Sequence, residues 1–197
     1  VGDSALPVNL AASSTWTITN FDHNDLDLSV VINNDSDLSD YPSANSAILS
    51  FGFGVEPDST ATLPTAGSTF GNVGNATGTI SGERNNQNFP GGFKNVDICV
   101  FTDGCTGGNV NTGLQAGETD TVALNVSPDS GTFGNPHTIE LLFFPLKFQG
   151  TWGSFEPGGT PSDGGGGGTQ GEAPVPAPLV LIGLGALWFR RLVREAP

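Results

Sequence analysis

Apolar and polar residues alternate along much of this 197-residue chain with a period of two. That period places successive side chains on opposite faces of a β-strand. "STWTITN" (14–20) alternates cleanly, and "DLDLSVVIN" (25–33) puts Leu26, Leu28, Val30 and Ile32 on one face. In "SAILSFGFGV" (46–55), Ile48 joins other apolar residues and is followed by Phe51, Phe53 and Val55. "ATGTIS" (76–81), "NVDICVF" (95–101), "TDTVALNV" (119–126) and "TIELLFFPLKFQG" (138–150) continue the series. Turn-forming clusters separate the runs: "NNDSD", "EPDST", "TDGCTGG" and "SPDSG". Seven or more short alternating strands spaced by turns predict an all-β fold, an antiparallel β-sandwich over residues 1–156. Before residue 176 no segment sustains a 3.6 period with caps, so little helix is expected there. The span 56–93 is expected to be loop-rich and to lie at an end of the sandwich, where a binding surface could sit.

The pattern then changes twice. Residues 157–175 form a Gly/Pro-rich stretch containing "DGGGGGTQG", expected to be a flexible linker. About 18 such residues have a root-mean-square span of roughly 22–25 Å. From Ala173 to Phe189 no residue is charged, and "LVLIGLGALWF" (179–189) is the apolar body of the tail. Pro174, Pro176 and Pro178 keep the approach extended, and Pro178 suits a first helical turn. Trp188 suits a membrane–water interface, and Arg190, Arg191 and Arg194 close the run. A helix over Ala177–Val193 would be about 25 Å long, at the lower limit for a membrane span, with arginine stems able to snorkel outward. The expectation is one transmembrane helix over 176–193 and a cytoplasmic end at 194–197. The arginine cluster orients it, which leaves the β domain outside the cytoplasm. The competing reading is a core helix completing the sandwich. That reading must account for three clustered arginines and a glycine tether just before them.

Charge narrows the partners. The net charge is −14, and residues 1–171 carry 18 acidic side chains against Arg84, Lys94 and Lys147. Such a domain repels phosphate backbones, which argues against nucleic-acid binding. The expected partners are the lipid bilayer and a membrane protein complex or other envelope components. "VGDSALPVNL" lacks a basic start and a long apolar stretch; either the chain is processed or it was never exported, and the absence of an initial Met favours processing. The chain has two cysteines, Cys99 and Cys105, in "ICVFTDGC". A turn between them can close a small disulfide if their Cα atoms come within about 6–7 Å. Two free buried thiols are the alternative, and a zinc site would need ligands that His23 and His137 alone do not supply. A disulfide implies an oxidising compartment.

Several constellations point weakly to chemistry. Six aspartates lie between Phe21 and Tyr41, and in "NNDSDLSD" Asp35, Asp37 and Asp40 are the best calcium candidates. The glycine and terminal glutamate of a helix–loop–helix calcium loop are missing, and a solvated acidic loop is the expected state. "VGDSAL" matches the Gly-Asp-Ser start of one esterase class, but Ser4 has no downstream Asp-x-x-His. Trp16, Trp152 and Tyr41 could stack on sugars, against a default of core or edge packing. Asn34, Asn75 and Asn125 head glycosylation triplets that are frequent by chance in such a composition. No catalytic set and no cofactor are expected.

The tail carries a more specific likeness. The motif Val175-Pro176-Ala177-Pro178, an apolar helix containing "GLGAL", and an arginine cluster beginning at Arg190 and Arg191 together resemble a PEP-CTERM sorting tail. Ala177 stands where that family's motif carries Glu. The resemblance implies recognition of the proline motif by an exosortase that processes the anchor; the departure at Ala177 leaves a retained anchor as the alternative. "VDICVFTDGCTGGNVNTGLQAGETDT" and "LKFQGTWGSFEPGG", over residues 96–159, resemble the cistern subgroup of that family. Neither likeness implies an enzymatic activity. The expected function is a non-enzymatic, membrane-anchored structural or interaction protein of the bacterial envelope. It would be an accessory subunit of a membrane complex, for example photosynthetic or respiratory, or a sorted surface protein. The competing class is a carbohydrate-binding or carbohydrate-active module on the same scaffold.

Overall fold

The structure is a computed structural model that describes residues 9–39, 45–75, 89, 91, 93, 96–134 and 139–159. The described residues form β1 (Ala12–Phe21), β2 (Leu26–Asn34), β3 (Ser46–Glu56), β4 (Ser59–Thr65), β5 (Asn72–Asn75) and β6 (Ile98–Phe101). A short 3-10 turn at Val110–Thr112 precedes β7 (Leu114–Gln115), β8 (Thr119–Pro128), β9 (Glu140–Leu142), β10 (Phe144–Gly150), β11 (Gly153–Phe155) and β12 (Gly158–Gly159).

Alternation in β2 buries Leu26, Leu28, Val30, Ile32 and Asn34 and leaves the residues between them half-buried. β8 repeats this with Asp120, Val122, Leu124 and Val126. The two strands pair antiparallel, with Leu28 opposite Leu124 and Val30 opposite Val122. Flanked by β1 and β4, they form a four-stranded sheet of order β1-β2-β8-β4. The second sheet runs β11-β10-β3-β6-β5, with β12 on β10 and β7 and β9 on β3. Its inner face contributes Ile48, Phe51, Phe53, Val55, Ile98, Val100 and Phe148 to one core shared with the first sheet. Each fully buried side chain of this kind contributes roughly 1.5–3 kcal/mol over exposure. The fold is therefore all-β with two antiparallel sheets, a sandwich-like arrangement.

β3 departs from the half-buried pattern because both of its faces are covered. Every residue from Ser46 to Val55 is buried. A second apolar cluster of Phe89, Val96, Cys99 and Cys105, joined by Phe93 and Phe101, lies apart from the main core. Gly52 shows how close this covering layer lies: a Cβ there would meet Val96 Cγ1 at 2.7 Å and Phe89 Cδ2 at 3.1 Å. A strand-interior glycine marking such a close approach is the general pattern. β9 and β10 follow one line along β3, interrupted by Phe143, which has φ 50°. The bulge accommodates one extra residue on that line.

Side chains join the two sheets at opposite margins. Trp16 of β1 packs edge-on against Phe51, Phe53 and Phe144, with centroids 5.0–6.1 Å apart. Asn75 of β5 clamps Ala61 of β4, accepting its N–H at 2.6 Å and donating to its carbonyl at 2.9 Å. Asn34 donates to the Ser46 and Leu114 carbonyls across the sandwich.

Two boundaries differ from expectation. The span 56–93 contains β4 and β5, whose polar residues obscure them in the sequence. The segment 76–81 lies outside the described residues. β12 pairs Gly158 and Gly159 with β10, beyond residue 156 where the linker was placed. Among the described residues, no helix is long and apolar enough to cross a membrane. The tail, including Val175–Pro178, Arg190 and Arg191, lies outside them.

Candidate functional site

The chemistry-bearing residues fall into three groups. The first surrounds the cysteines. Cys99, the second residue of β6, and Cys105 beyond the turn form a disulfide with Cα atoms 6.1 Å apart. The Ser50 hydroxyl donates to the Cys105 carbonyl at 2.9 Å. Asp103 accepts from the Asn109 N–H at 3.0 Å and the Thr112 hydroxyl at 2.9 Å. These two bonds hold its carboxyl below the usual carboxylate range. Beneath the loop, buried Lys147 pairs with Glu156, and Gln149 donates to the Gly108 carbonyl. Breaking a buried pair strands the other charge, so this contact ties β10 to the segment after β11 rather than offering reactivity. Lys147 is the only Lys or Arg among the described residues, set against 14 Asp and Glu. The described surface is correspondingly acidic.

Replacing both cysteines by alanine is expected to cost about 2 kcal/mol, the chain-entropy value for so short a loop. Denaturant midpoints of the parent and the double variant measure this. Thiol alkylation without reductant should leave the native chain unmodified, whereas two alkylated cysteines would contradict the disulfide.

The second group centres on Asp120. It lies on the inner face of β8 and is 4% exposed. One carboxylate oxygen accepts from the Ser68 N–H at 2.9 Å, the Ser68 hydroxyl at 2.8 Å and the Thr121 N–H at 2.9 Å. The other accepts from the Thr69 and Phe70 N–H groups at 2.9 and 3.0 Å. Burial pushes the carboxyl up, but the bonds from Phe70, Ser68 and Thr69 outweigh it and hold the pKa below the usual range. The turn after β4 closes with Gly67 N–H donating to the Phe70 carbonyl at 3.1 Å, and it wraps the anion. The group is an internal anion site filled by the protein's own side chain.

The third group is an acidic margin. Glu56 of β3 stands directly opposite Glu140 of β9, and Asp58 follows in the turn. Burial, then the charges of Asp58 and Glu140, push the Glu56 carboxyl up. Sequence reasoning missed this margin because its members come from strands 84 positions apart.

The calcium candidates separate from this margin. Asp35 and Asp37 are both exposed beyond β2, and Asp40 lies outside the described residues. The Ser39 backbone and hydroxyl hold the Asp37 carboxyl below its ordinary range, with the N–H at 2.9 Å. Among the described residues, no three His, Cys, Asp or Glu are grouped to hold a metal ion. His23 is exposed with Nδ1 3.2 Å from the Gly134 carbonyl; His137, Ser4 and Tyr41 lie outside the described residues. Trp152 donates to the Asn45 carbonyl at 2.9 Å, and both it and Trp16 are packed at the core margin rather than presented as open rings. The amides of Asn34, Asn75 and Asn125 are all engaged, the last donating to Asp27 at 2.8 Å.

The arrangement uses its polar groups to fasten loops to sheets and offers an acidic exterior. No protein-family model, no curated protein and no solved structure matches this chain.

Proposed function

We propose that the chain is a non-enzymatic structural or interaction protein of the bacterial envelope, a β domain held outside the cytoplasm by its own C-terminal tail. The observation that carries this reading is the tail itself. An uncharged run from Ala173 to Phe189, preceded by a glycine tether and closed by Arg190 and Arg191, has the composition of a membrane anchor. The Cys99–Cys105 disulfide supports an oxidising compartment for the domain. The commitment of Asp120, Asp103 and Lys147 to structural bonds supports a scaffold role over catalysis. The likeness to PEP-CTERM tails supports sorting by the same route, with Pro176 and Pro178 as recognition elements and Ala177 favouring a retained anchor. The packed positions of Trp16 and Trp152 weigh against stacking of sugars on these rings. A basic protein surface suits the acidic exterior as a partner, in a contact weakened by salt.

Two variants, each adding one cysteine, test the orientation. Both native cysteines are in the disulfide, so Ser162→Cys in the linker and Ala196→Cys beyond the arginines provide unique thiols. In intact spheroplasts, a membrane-impermeant maleimide should label the first directly and the second only after permeabilisation. The reverse pattern would overturn the proposal.

A further inference from the structure

The four-stranded sheet ends on β1, whose outer edge has no partner among the described residues. Its hydrogen-bonding direction follows from its neighbour. Asn34 N–H donates to the Glu118 carbonyl, and the Asn34 carbonyl accepts from Gly117, so even-numbered β2 residues point their backbone groups toward β8. Odd-numbered ones therefore serve β1, through Ser13 opposite Asn33, Thr15 opposite Val31 and Thr17 opposite Ser29. Asn9 and Ala11 also bond toward that side, to Asp37 and Ser36. The N–H and C=O groups of Leu10, Ala12, Ser14, Trp16 and Ile18 consequently form an outward row.

Sheet edges are usually blunted by proline, charge, bulges or shortness. The other edges here conform. β4 carries Pro64 and a register shift, β11 is three residues long, and β5 is four residues long and tied by Asn75. β1 is ten residues long, and its single irregularity falls near its end, between Ile18 and Asn20. From Asn9 to Phe21 the chain has no charged residue and no proline. On a body whose described surface is acidic, this is the strip along which a second copy approaches with least repulsion.

We propose that the chain self-associates through β1, two copies pairing antiparallel about a two-fold axis at Ser14. That register uses the whole outward row: Leu10 faces Ile18 of the second copy, Ala12 faces Trp16, and Ser14 faces itself. It satisfies the isologous rule for two-fold dimers. It also matches side chains. Leu10, Ala12, Trp16 and Ile18 are half-buried against the core, so the joined sheet sets large Trp16 beside small Ala12 and Leu10 beside Ile18. On the outer face, Ser13 and Thr15 of the two copies become neighbours. The two four-stranded sheets merge into one of eight.

Sedimentation of the full chain in density-matched detergent tests this. A dimer is expected at concentrations of tens of micromolar, on the order of those that populate small interfaces. Ser14→Lys places two like charges opposite each other at the axis and should weaken the dimer by up to about fivefold. The Ser14 side chain is exposed, but its hydroxyl accepts from the Trp16 indole N–H at 2.9 Å. Ser14→Ala, which removes that bond without adding charge, is the control and should leave the dimer intact. Ser14→Cys gives a readout independent of affinity. The two Cα atoms would lie about 5.5 Å apart, within disulfide reach, so mild oxidation should link the copies. Thr17→Cys places its thiols about 20 Å apart along the strands and should not link. A monomer throughout, a dimer unaffected by Ser14→Lys, or equal linking at both positions would each overturn the proposal.

Discussion

Asp120→Asn is expected to lower the stability of the domain by about 2–6 kcal/mol. The carboxylate accepts four backbone N–H bonds and the Ser68 hydroxyl in a buried position. An amide keeps one acceptor oxygen and turns two donors toward the opposing N–H groups. With the oxygen on the Ser68 side, Thr69 and Phe70 lose their acceptor, at about 1–3 kcal/mol for each buried donor left unsatisfied. Across a domain of this size the loss corresponds to a fall in Tm of roughly 4–24 °C. Ser68→Ala removes a single bond and should cost only about 1 kcal/mol. The effect has a defined pH window. The folded carboxyl titrates below its unfolded value near 3.9. Its contribution is therefore complete above that value and is lost as the pH falls through the folded pKa. The difference between parent and variant should shrink below about pH 4. Denaturant unfolding at neutral and acid pH measures both parts. A variant within about 1 kcal/mol of the parent at neutral pH would contradict the role given to this carboxylate.

Asp120 also shows what the sequence disclosed and what it hid. The strand carrying it was legible from alternation in "TDTVALNV", and that alternation puts Asp120 on the same face as Val122, Leu124 and Val126. A carboxylate at an inward position was the available signal, and the turn that satisfies it, at Ser68–Phe70, is 50 residues away and invisible to local pattern. Lys147 is a parallel case, a lone cation within an apolar run whose partner Glu156 lies beyond the next turn. β2 followed its pattern because it is an interior strand with one face on the core. β3 did not reveal its double burial, because a run such as "SAILSFGFGV" fits a strand covered on either face. β4 and β5 escaped notice because Ser, Thr, Asn and Gly dominate them, and their pairing rests on β8, β6 and the Asn75 clamp. The disulfide was legible because a turn sequence separates two cysteines that have few other partners. The acidic margin of Glu56, Asp58 and Glu140 was not, since register alone brings β3 and β9 together.

The second large effect concerns the tail. Leu179, Val180, Leu181, Ile182, Leu184, Leu187 and Phe189 each favour insertion by about 0.3–0.6 kcal/mol at the centre of a membrane helix. On the proposed anchoring their sum, about 2–4 kcal/mol, would act with an arginine cluster held at the cytoplasmic face. Ending the chain at Glu172 removes all of it and leaves the described sandwich, whose last strand ends at Gly159. Carbonate and high-salt fractionation in a bacterial host lacking an exosortase compares the full chain with this truncation. The anchored account predicts that the full chain remains in the membrane pellet until detergent is added, while the truncated chain is recovered in the soluble fraction. A truncated chain that stays in the washed pellet, or a full chain that is soluble without detergent, would contradict it.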